Sequence, residues 1–261
     1  MPEPREQLLP SLRKIALEAG AVIMKIYQGD ITVRAKADES PVTEADEAAE
    51  AVILAALAEL TPEIPVIAEE SVAAGHIPEI GDGPFWLVDP LDGTKEFISR
   101  NGEFTVNVAL IEDGLPTHCV VFTPAVGQLY LAAPGAATLE RDGAAARPIA
   151  VRQPAADGLV VVASRSHRDS KTDDYLADFD VKSLTSAGSS LKLCLVAAGE
   201  ADLYPRLGRT MEWDIAAGHA VVRFAGGRVT DLEGVDIGYG KAGFENPPFV
   251  AWGAEADTGI D

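Results

Sequence analysis

The sequence predicts a mixed α/β protein whose first half has an α+β pattern and whose second half has an alternating α/β pattern. Two segments with helical spacing precede a series of short strands separated by turns, and strands then alternate with helices from about residue 159. With 261 residues, the chain is long enough to bury the core of such a fold. We expect a boundary near residue 150, which divides the chain into segments 1–150 and 151–261, or a single domain that contains both.

Two helices and an antiparallel sheet are predicted for the first half. Apolar residues recur at helical spacing over residues 5–28 and 44–60, and Thr43 is placed to cap the second helix. The tripeptide Arg141-Asp142-Gly143 indicates a hairpin. Apolar runs bounded by turn residues predict strands at 66–68, 85–88, 105–111, 117–122 and 128–132.

Strands and helices alternate in the second half. The pattern predicts strands at 159–163, 181–184 and 201–204. Helices are predicted after them, at about 169–178, 189–199 and 214–225. A last strand or hairpin begins at Gly227.

The acidic composition limits what the protein can bind through its overall charge. The formal net charge is −20 and the isoelectric point is near 4.5, which argues against nucleic acid polymers and anionic membranes as partners. An anionic small molecule stays compatible with this charge if bound cations reverse the potential locally.

The cysteines and the apolar runs favour a cytoplasmic location. Cys119 and Cys194 lie far apart in apolar stretches, which indicates buried thiols of a reducing compartment. The N-terminal segment has no signal-peptide layout, and no apolar run reaches the length of a membrane span. We expect no integral membrane association, and we leave peripheral contact with the inner membrane and a homodimer open.

Two aspartates follow the predicted strand 85–88 and are candidate metal ligands. Pro90 fixes the backbone between Asp89 and Asp92, and a tight bend there would bring both carboxylates to one side. Converging carboxylates repel unless cations bridge them, and all-oxygen ligands suit Mg²⁺ rather than zinc. Glu70, at the end of another predicted strand, and Asp214, at the start of a predicted helix, could complete the cluster.

The next two residues distinguish this cluster from ordinary turns. A bare pair of aspartates is more often a turn, and Asp214 alone could be a helix N-cap. Gly93, however, lets the backbone approach a ligand closely, and the amides from Thr94 onward can open a helix whose N-terminus binds phosphate. Carboxylates for a metal beside amides for phosphate indicate a phosphotransfer site.

Four segments resemble the motifs of the inositol monophosphatase superfamily, in the same order. The resemblance implies a layered αβαβα sandwich, dependence on two or three Mg²⁺ ions and sensitivity to lithium. The four segments lie within about residues 36–230 and are Ser40–Asp46, Ala68–Ser71, Trp86–Thr94 and Glu212–Gly218.

This resemblance implies roles for individual residues. The metal ligands would be Glu70, in preference to Glu69, together with Asp89, Asp92, Asp214 and the Leu91 carbonyl. The amides of Gly93 and Thr94 would bind the scissile phosphate. Asp46 and Thr94 would orient and deprotonate the attacking water, and Glu70 counts with them as catalytic. Two metals roughly 3.5–4 Å apart can activate a water and stabilise the leaving oxygen, so no nucleophilic side chain is required.

Further features resemble the bisphosphate nucleotidase group of the superfamily. Lys95 follows the motif. Ser189 opens a predicted helix and Lys192 stands one turn inside it, and together they would make a second anion site. Arg206 stands where the inositol monophosphatases carry a glutamate, and a guanidinium suits a second phosphate. His167 could contact ribose, base or the 5′-phosphate, although an uninvolved surface histidine fits equally well.

These observations predict a Mg²⁺-dependent phosphomonoesterase for a bisphosphonucleotide. The expected reaction is hydrolysis of 3′-phosphoadenosine 5′-phosphate to AMP and phosphate, which recycles a by-product of sulfate assimilation. One alternative is an inositol monophosphatase or a broad sugar-phosphate phosphatase. Another is a non-catalytic protein that only binds metal or nucleotide.

Overall fold

The computed structural model describes residues 8–35, 41–164 and 170–254. Its helices are α1 (Leu8–Tyr27), α2 (Glu44–Leu60), α3 (Glu69–Ala73), α4 (Thr94–Ile98), α5 (Ser170–Leu176), α6 (Leu191–Ala197) and α7 (Glu212–Phe224). Its first nine strands are β1 (Val33–Ala35), β2 (Pro41–Thr43), β3 (Val66–Ala68), β4 (Phe85–Asp92), β5 (Thr105–Glu112), β6 (Leu115–Thr123), β7 (Gln128–Ala133), β8 (Ala136–Arg141) and β9 (Arg147–Pro148). The remaining strands are β10 (Leu159–Ser164), β11 (Val181–Ala187), β12 (Leu203–Arg206), β13 (Thr210–Met211), β14 (Arg228–Asp231), β15 (Glu245–Asn246) and β16 (Phe249–Trp252).

The first large sheet contains strands β3 to β9 in chain order. Strands β4 to β9 pair antiparallel with their neighbours, as predicted. Strand β3, however, is parallel to β4, so the sheet is mixed rather than purely antiparallel. The connection from β3 runs through α3 back to the end of the sheet where β3 begins, and β4 starts there. The carboxyl ends of β3 and β4 therefore lie side by side at the opposite end.

The second large sheet has the order β11-β10-β12-β16-β14. Strands β10, β11 and β12 are parallel, as the alternation of strands and helices predicts. Strand β16 runs antiparallel between β12 and β14. Two short antiparallel pairs, β1 with β2 and β13 with β15, lie outside the large sheets.

The helices and sheets form five layers, so the predicted αβαβα sandwich is confirmed. Helices α1 and α2 cover one face of the first sheet, where Leu12 and Ile53 are buried with Trp86. Helices α6 and α7 lie between the two sheets in a second core. Helix α5 covers the outer face of the second sheet, where Leu176 packs with Val161.

A close contact between α6 and α7 fixes the middle layer. A Cβ atom on Gly218 of α7 would lie 2.5 Å from Leu193 Cδ1 of α6, so only glycine allows this approach. The two helices begin near the same end of the sandwich, at Leu191 and Glu212. Their first turns therefore carry Lys192 and Asp214 into one region.

Several element boundaries differ from the prediction, among them those of β4, α6 and α7. Strand β4 continues through Asp89 and Pro90 to Asp92, with a register shift between the two aspartates, so the predicted tight bend is wrong. Pairing with β5 keeps the segment extended, and the bulge supplies the change of direction. Helix α6 begins at Leu191 and not at 189, because Ser189 has a left-handed φ of +48° that no helix accommodates. Helix α7 begins at Glu212, two residues before the predicted start.

Across residues 8–35, 41–164 and 170–254, no helix is both long and apolar enough to cross a bilayer. The division of the chain at residue 150 stays a prediction.

Candidate metal and phosphate site

A cavity of about 280 Å³ opens where the end of β4 meets the first turns of α6 and α7. Its lining carries charged side chains of both signs. We call four of its carboxylates, those of Glu69, Asp89, Asp92 and Asp214, the acidic wall. We call three of its basic residues, Lys192, Arg206 and Arg209, the cationic wall.

Two parallel strands deliver the first pair of carboxylates. In the ladder of β3 and β4, Ala68 pairs with Val88, and the next residues along the two strands are Glu69 and Asp89. Because the strands are parallel and in register, these two residues reach the same edge of the sheet. Asp89 is only 2% exposed, and its Oδ1 accepts a hydrogen bond from the Leu91 N–H at 3.0 Å.

The structure places Glu69, and not Glu70, on the acidic wall. Glu69 lines the cavity, and its charge acts on Asp92 and Asp214, whereas Glu70 is outside the cavity lining. The sequence expectation preferred Glu70, whereas Glu69 is the first residue beyond β3, which ends at Ala68 as predicted. Glu70 is instead tied to α2 through its backbone N–H, which donates to Glu50 Oε2 at 2.8 Å.

Backbone amides hold the other two carboxylates of the acidic wall. Asp92 Oδ2 accepts from the Ser190 N–H at 2.5 Å, and Asp214 Oδ2 accepts from the Met211 N–H at 2.8 Å. Burial raises the pKa of Asp92 to about 6, although Lys192 opposes this shift. Burial, followed by the charge of Asp92, raises the pKa of Asp214 well above its ordinary value.

This donor set fits a hard divalent cation. The acidic wall offers only oxygen ligands, and burial raises the pKa of Asp92 and Asp214. In the described part of the chain, no three His, Cys, Asp or Glu side chains already form a metal-binding group. Carboxylates that converge repel one another, and a bridging cation would offset this repulsion.

Gly93, Thr94 and Asp46 lie beside the acidic wall as predicted. Gly93 has a φ of +92°, a conformation that favours glycine, and α4 begins at Thr94 directly after it. The Thr94 hydroxyl donates to Asp46 Oδ1 at 3.2 Å. The other oxygen of Asp46 accepts from both the backbone N–H and the hydroxyl of Thr43, at 2.8 and 2.7 Å. Asp46 therefore has a fixed orientation toward Thr94.

The cationic wall is built from a buried lysine and two arginines. Lys192 is 4% exposed, and its ammonium donates to the Ser189 carbonyl and lies 5.3 Å from the centre of the Tyr204 ring. Burial lowers the pKa of Lys192 to about 8, and the positive charge of Arg206 adds to this shift. Among the described residues, Arg206 Nε is the one buried side-chain nitrogen or oxygen without a hydrogen-bond partner. The wall thus places the Arg206 guanidinium near a second cation, the Lys192 ammonium.

Most of the predicted site residues meet at this cavity. Lys95 and Ser189 line it, together with Leu91 and Gly93. Lys192 is the second residue of α6 rather than one turn inside, and its side chain turns back toward Ser189. The prediction for His167 falls outside the described residues.

Several residues that line the cavity are not among the predicted site residues, and Arg209 and Ser190 are two of them. Arg209 lines it three positions after Arg206, and its guanidinium pairs with Glu245 at 3.0 Å. Ser190 also lines it, and its partners lie more than 80 positions away along the chain. The clustering of two arginines in Arg206–Arg209 is a signal that sequence reasoning could have used, whereas Ser190 gives no local signal.

Comparison with protein families matches residues 5–254 to the inositol monophosphatase family. The 3′(2′),5′-bisphosphate nucleotidase CysQ of Salmonella typhimurium strain LT2 is 48% identical over 245 residues, which cover 93% of this chain and 98% of that protein.

Solved structures share the layered fold. The crystal structure of CysQ from Bacteroides thetaiotaomicron, a bacterial member of the inositol monophosphatase family, gives a TM-score of 0.80 at 36% identity, over 97% of this chain and 99% of that one. The inositol monophosphatase from Anabaena (Nostoc) sp. PCC 7120 gives a TM-score of 0.76 at 26% identity, over 95% of this chain and 91% of that one.

Proposed function

The chain belongs to the inositol monophosphatase family, and on that premise we propose that it is a Mg²⁺-dependent 3′(2′),5′-bisphosphate nucleotidase. The proposed reaction converts 3′-phosphoadenosine 5′-phosphate into AMP and phosphate. The observation that carries the proposal is the cavity with an acidic wall for metal and a cationic wall for a second phosphate.

The acidic wall is the proposed Mg²⁺ site. Its ligands would be Glu69, Asp89, Asp92, Asp214 and the Leu91 carbonyl, with Glu69 in the place that the sequence had assigned to Glu70. Bound Mg²⁺ would supply Lewis acidity toward the phosphoryl group and lower the pKa of water. Two or three ions suit four carboxylates, and this number stays a prediction.

Asp46 and Thr94 are the proposed proton-handling pair. Because the Thr94 hydroxyl donates to Asp46 Oδ1, the lone pairs of Thr94 Oγ1 are left to accept a proton from an attacking water. That proton would go to Thr94 Oγ1 as the Thr94 proton passes to Asp46. The new bond joins the water oxygen to phosphorus and the bond from phosphorus to the 3′-oxygen breaks. The leaving 3′-oxygen takes a proton from a second water, and the hydroxide that remains is neutralised by the proton held on Asp46. The amides of Gly93 and Thr94 would hold the scissile phosphate during this exchange.

The cationic wall is the proposed site of the second phosphate. Arg206 Nε is a buried donor without an acceptor among the described residues, and leaving such a donor unpaired is costly. A phosphate in the cavity would pair with the Arg206 guanidinium and the Lys192 ammonium, and Ser189 and Lys95 line the same cavity.

We place the enzyme in the cytoplasm, which the buried free thiols of Cys119 and Cys194 fit; this location and a homodimer stay predictions.

Substrate comparison tests the proposal. Phosphate release is measured with Mg²⁺ from 3′-phosphoadenosine 5′-phosphate and from inositol 1-phosphate at equal concentrations. We expect faster release from the nucleotide, with AMP as the product, loss of activity in EDTA and inhibition by Li⁺. Faster release from inositol 1-phosphate would instead support an inositol or sugar-phosphate phosphatase. No release from any phosphate ester would support a non-catalytic binding protein.

A further inference from the structure

A buried triangle of polar side chains lies behind the acidic wall. It consists of Thr105, Asn107 and Ser190, which are 0%, 1% and 3% exposed. The Ser190 hydroxyl donates to Asn107 Oδ1 at 2.6 Å, and Asn107 Nδ2 donates to Thr105 Oγ1 at 3.2 Å. The remaining proton, on Thr105 Oγ1, then points to Ser190 Oγ at 2.9 Å. Each member therefore donates once and accepts once within the triangle.

The triangle joins two parts of the chain that are distant in sequence. Thr105 and Asn107 belong to β5 of the first sheet, whereas Ser190 immediately precedes α6. In the ladder of β4 and β5, Asn107 pairs with Asp89 and Thr105 pairs with Asp92. Two members of the triangle thus lie directly across from two residues of the acidic wall.

Ser190 also contacts the acidic wall through its backbone. Its N–H donates to Asp92 Oδ2 at 2.5 Å, while its hydroxyl is held by the triangle. The side chain of Ser190 therefore fixes the position of the amide that orients Asp92. An alanine at this position would keep the amide but lose its anchor.

The turn that carries Ser190 is held in one conformation. Ser189 has a left-handed φ of +48°, which is strained for a residue with a side chain. The Gly188 N–H donates to Glu103 Oε2 at 2.7 Å, and a Cβ atom on Gly188 would lie 2.7 Å from the Glu103 carbonyl oxygen. Such strain persists only where the surrounding contacts hold it. Here those contacts come from Thr105 and Asn107 of β5 and from Glu103, which precedes that strand.

A buried polar triangle is costly to desolvate, and apolar side chains of similar shape would pack there with less penalty. From the contact of its third member with Asp92, we infer that Ser190 is a positioning residue for the metal site. Because the triangle holds the Ser190 side chain, the Ser190 amide keeps the Asp92 carboxylate in one orientation. The same turn also carries the Ser189 carbonyl, which accepts from the Lys192 ammonium, so the turn contacts both the acidic and the cationic wall. This inference rests on the proposed function, in which Asp92 is a Mg²⁺ ligand.

Mg²⁺ binding to two variants tests this role. Ser190→Ala removes the anchoring hydroxyl, and Thr105→Val removes a triangle member with little change of shape. Partners that orient metal ligands typically contribute about 10- to 100-fold in metal affinity. We expect both variants to bind Mg²⁺ about tenfold more weakly by isothermal titration calorimetry without substrate. The Mg²⁺ concentration for half-maximal activity should rise in parallel.

Thr61→Val is the matched control, because Thr61 is also 3% exposed and its hydroxyl accepts from Trp86 Nε1 at 2.9 Å in a different layer. We expect this control to lower thermal stability and to leave Mg²⁺ binding unchanged. Wild-type Mg²⁺ affinity in Ser190→Ala would overturn the positioning role. If Ser190→Ala does not fold, the Mg²⁺ affinity of Thr105→Val alone tests that role. Absence of Mg²⁺ binding in the wild type would overturn the proposed function itself, and the positioning role with it.

Discussion

The acidic wall and the cationic wall of the cavity differ in the kind of support that the protein gives them. Three of the four carboxylates on the acidic wall accept hydrogen bonds from backbone amides, namely those of Leu91, Ser190 and Met211. On the cationic wall, Arg206 has a buried nitrogen without a partner among the described residues. Arg209 is 62% exposed in its side chain and pairs with Glu245 at the surface.

This difference in support suggests that the two walls have separate tasks, the acidic wall in the reaction chemistry and the cationic wall in the choice of substrate. Carboxylates held by backbone amides stay in place as long as β4, α6 and α7 form, so the fold itself determines the metal chemistry. On the cationic wall, the Arg206 guanidinium donates to the Arg209 carbonyl at 3.1 Å, and the Arg209 guanidinium pairs with Glu245. We expect that these arginines can be exchanged without loss of the fold. We therefore expect substitutions in the acidic wall to abolish catalysis, and substitutions in the cationic wall to change mainly the affinity for substrate.

Asp89→Asn is expected to have the largest effect. The change keeps the shape of the side chain but removes one negative charge from the acidic wall. Because metal-assisted hydrolysis derives several kcal/mol of transition-state stabilisation from such a site, kcat should fall by at least about a thousandfold. Phosphate release measures kcat, and circular dichroism checks that the fold is intact.

Asp202→Asn is the control for the loss of a buried aspartate. Asp202 is 3% exposed and pairs with Arg152 at 2.8 Å, away from the cavity lining. We expect lower stability in this variant and unchanged kcat for the folded enzyme. Retained turnover in Asp89→Asn would refute its assignment as a metal ligand.

Arg206→Gln should have an intermediate effect that is specific to the second phosphate. Hydrogen bonds to charged groups contribute about 1.5–3 kcal/mol, so KM for the bisphosphonucleotide should rise about 10- to 100-fold. KM for adenosine 3′-monophosphate, which lacks the second phosphate, should change little. Arg209→Gln is the matched control; its exposure and its pairing with Glu245 predict a smaller effect. Equal effects of Arg206→Gln on both substrates would contradict the proposed second-phosphate site.

Lys192→Met should raise KM at neutral pH and remove a pH dependence that the wild type shows. The pKa of Lys192 is lowered to about 8 by burial, so its positive charge is lost as the pH rises through that value. If the neutral form binds the substrate anion at least tenfold more weakly, wild-type KM should rise about five- to tenfold between pH 7 and pH 9. This rise should be absent in Lys192→Met.

Arg206→Gln provides the contrast for the lysine variant, because it keeps Lys192 and should keep a rise of KM with pH. The midpoint of that rise should move to higher pH, because the charge of Arg206 no longer lowers the pKa of Lys192. KM is measured at saturating Mg²⁺ across the pH range, with stability monitored at each pH. A pH dependence that persists in Lys192→Met would show that another group titrates.

Local patterns in the sequence were sufficient for most of the fold. Helical spacing located α1 and α2, and Thr43 caps α2 as predicted, with the Ala45 N–H donating to its hydroxyl at 3.2 Å. The strands β5, β6 and β7 were also located to within two residues. These features depend on residues that are close in sequence, so their signals are local.

The errors arose where distant contacts override local preferences. Asp89-Pro90 resembles a bend, yet pairing of β4 with β5 keeps it extended with a bulge. Glu69 and Glu70 are adjacent residues of the same type, so the sequence does not tell which of them lies beside Asp89. The parallel register of β3 with β4 shows that it is Glu69. The contact of Ser190 with Asp92 spans 98 positions and leaves no pattern in the sequence.

Asp46 and Asp214 occupy equivalent positions in the first turns of α2 and α7. The third residue of each helix, Asp46 or Asp214, accepts the backbone N–H of the residue that precedes the helix, Thr43 or Met211, each at 2.8 Å. Each carboxylate therefore helps to start a helix as well as to form the site. Natural selection for folding alone would preserve both aspartates in a descendant that no longer needed the enzyme. Loss of activity in this lineage should therefore appear first at Asp89 or Arg206, which start no helix.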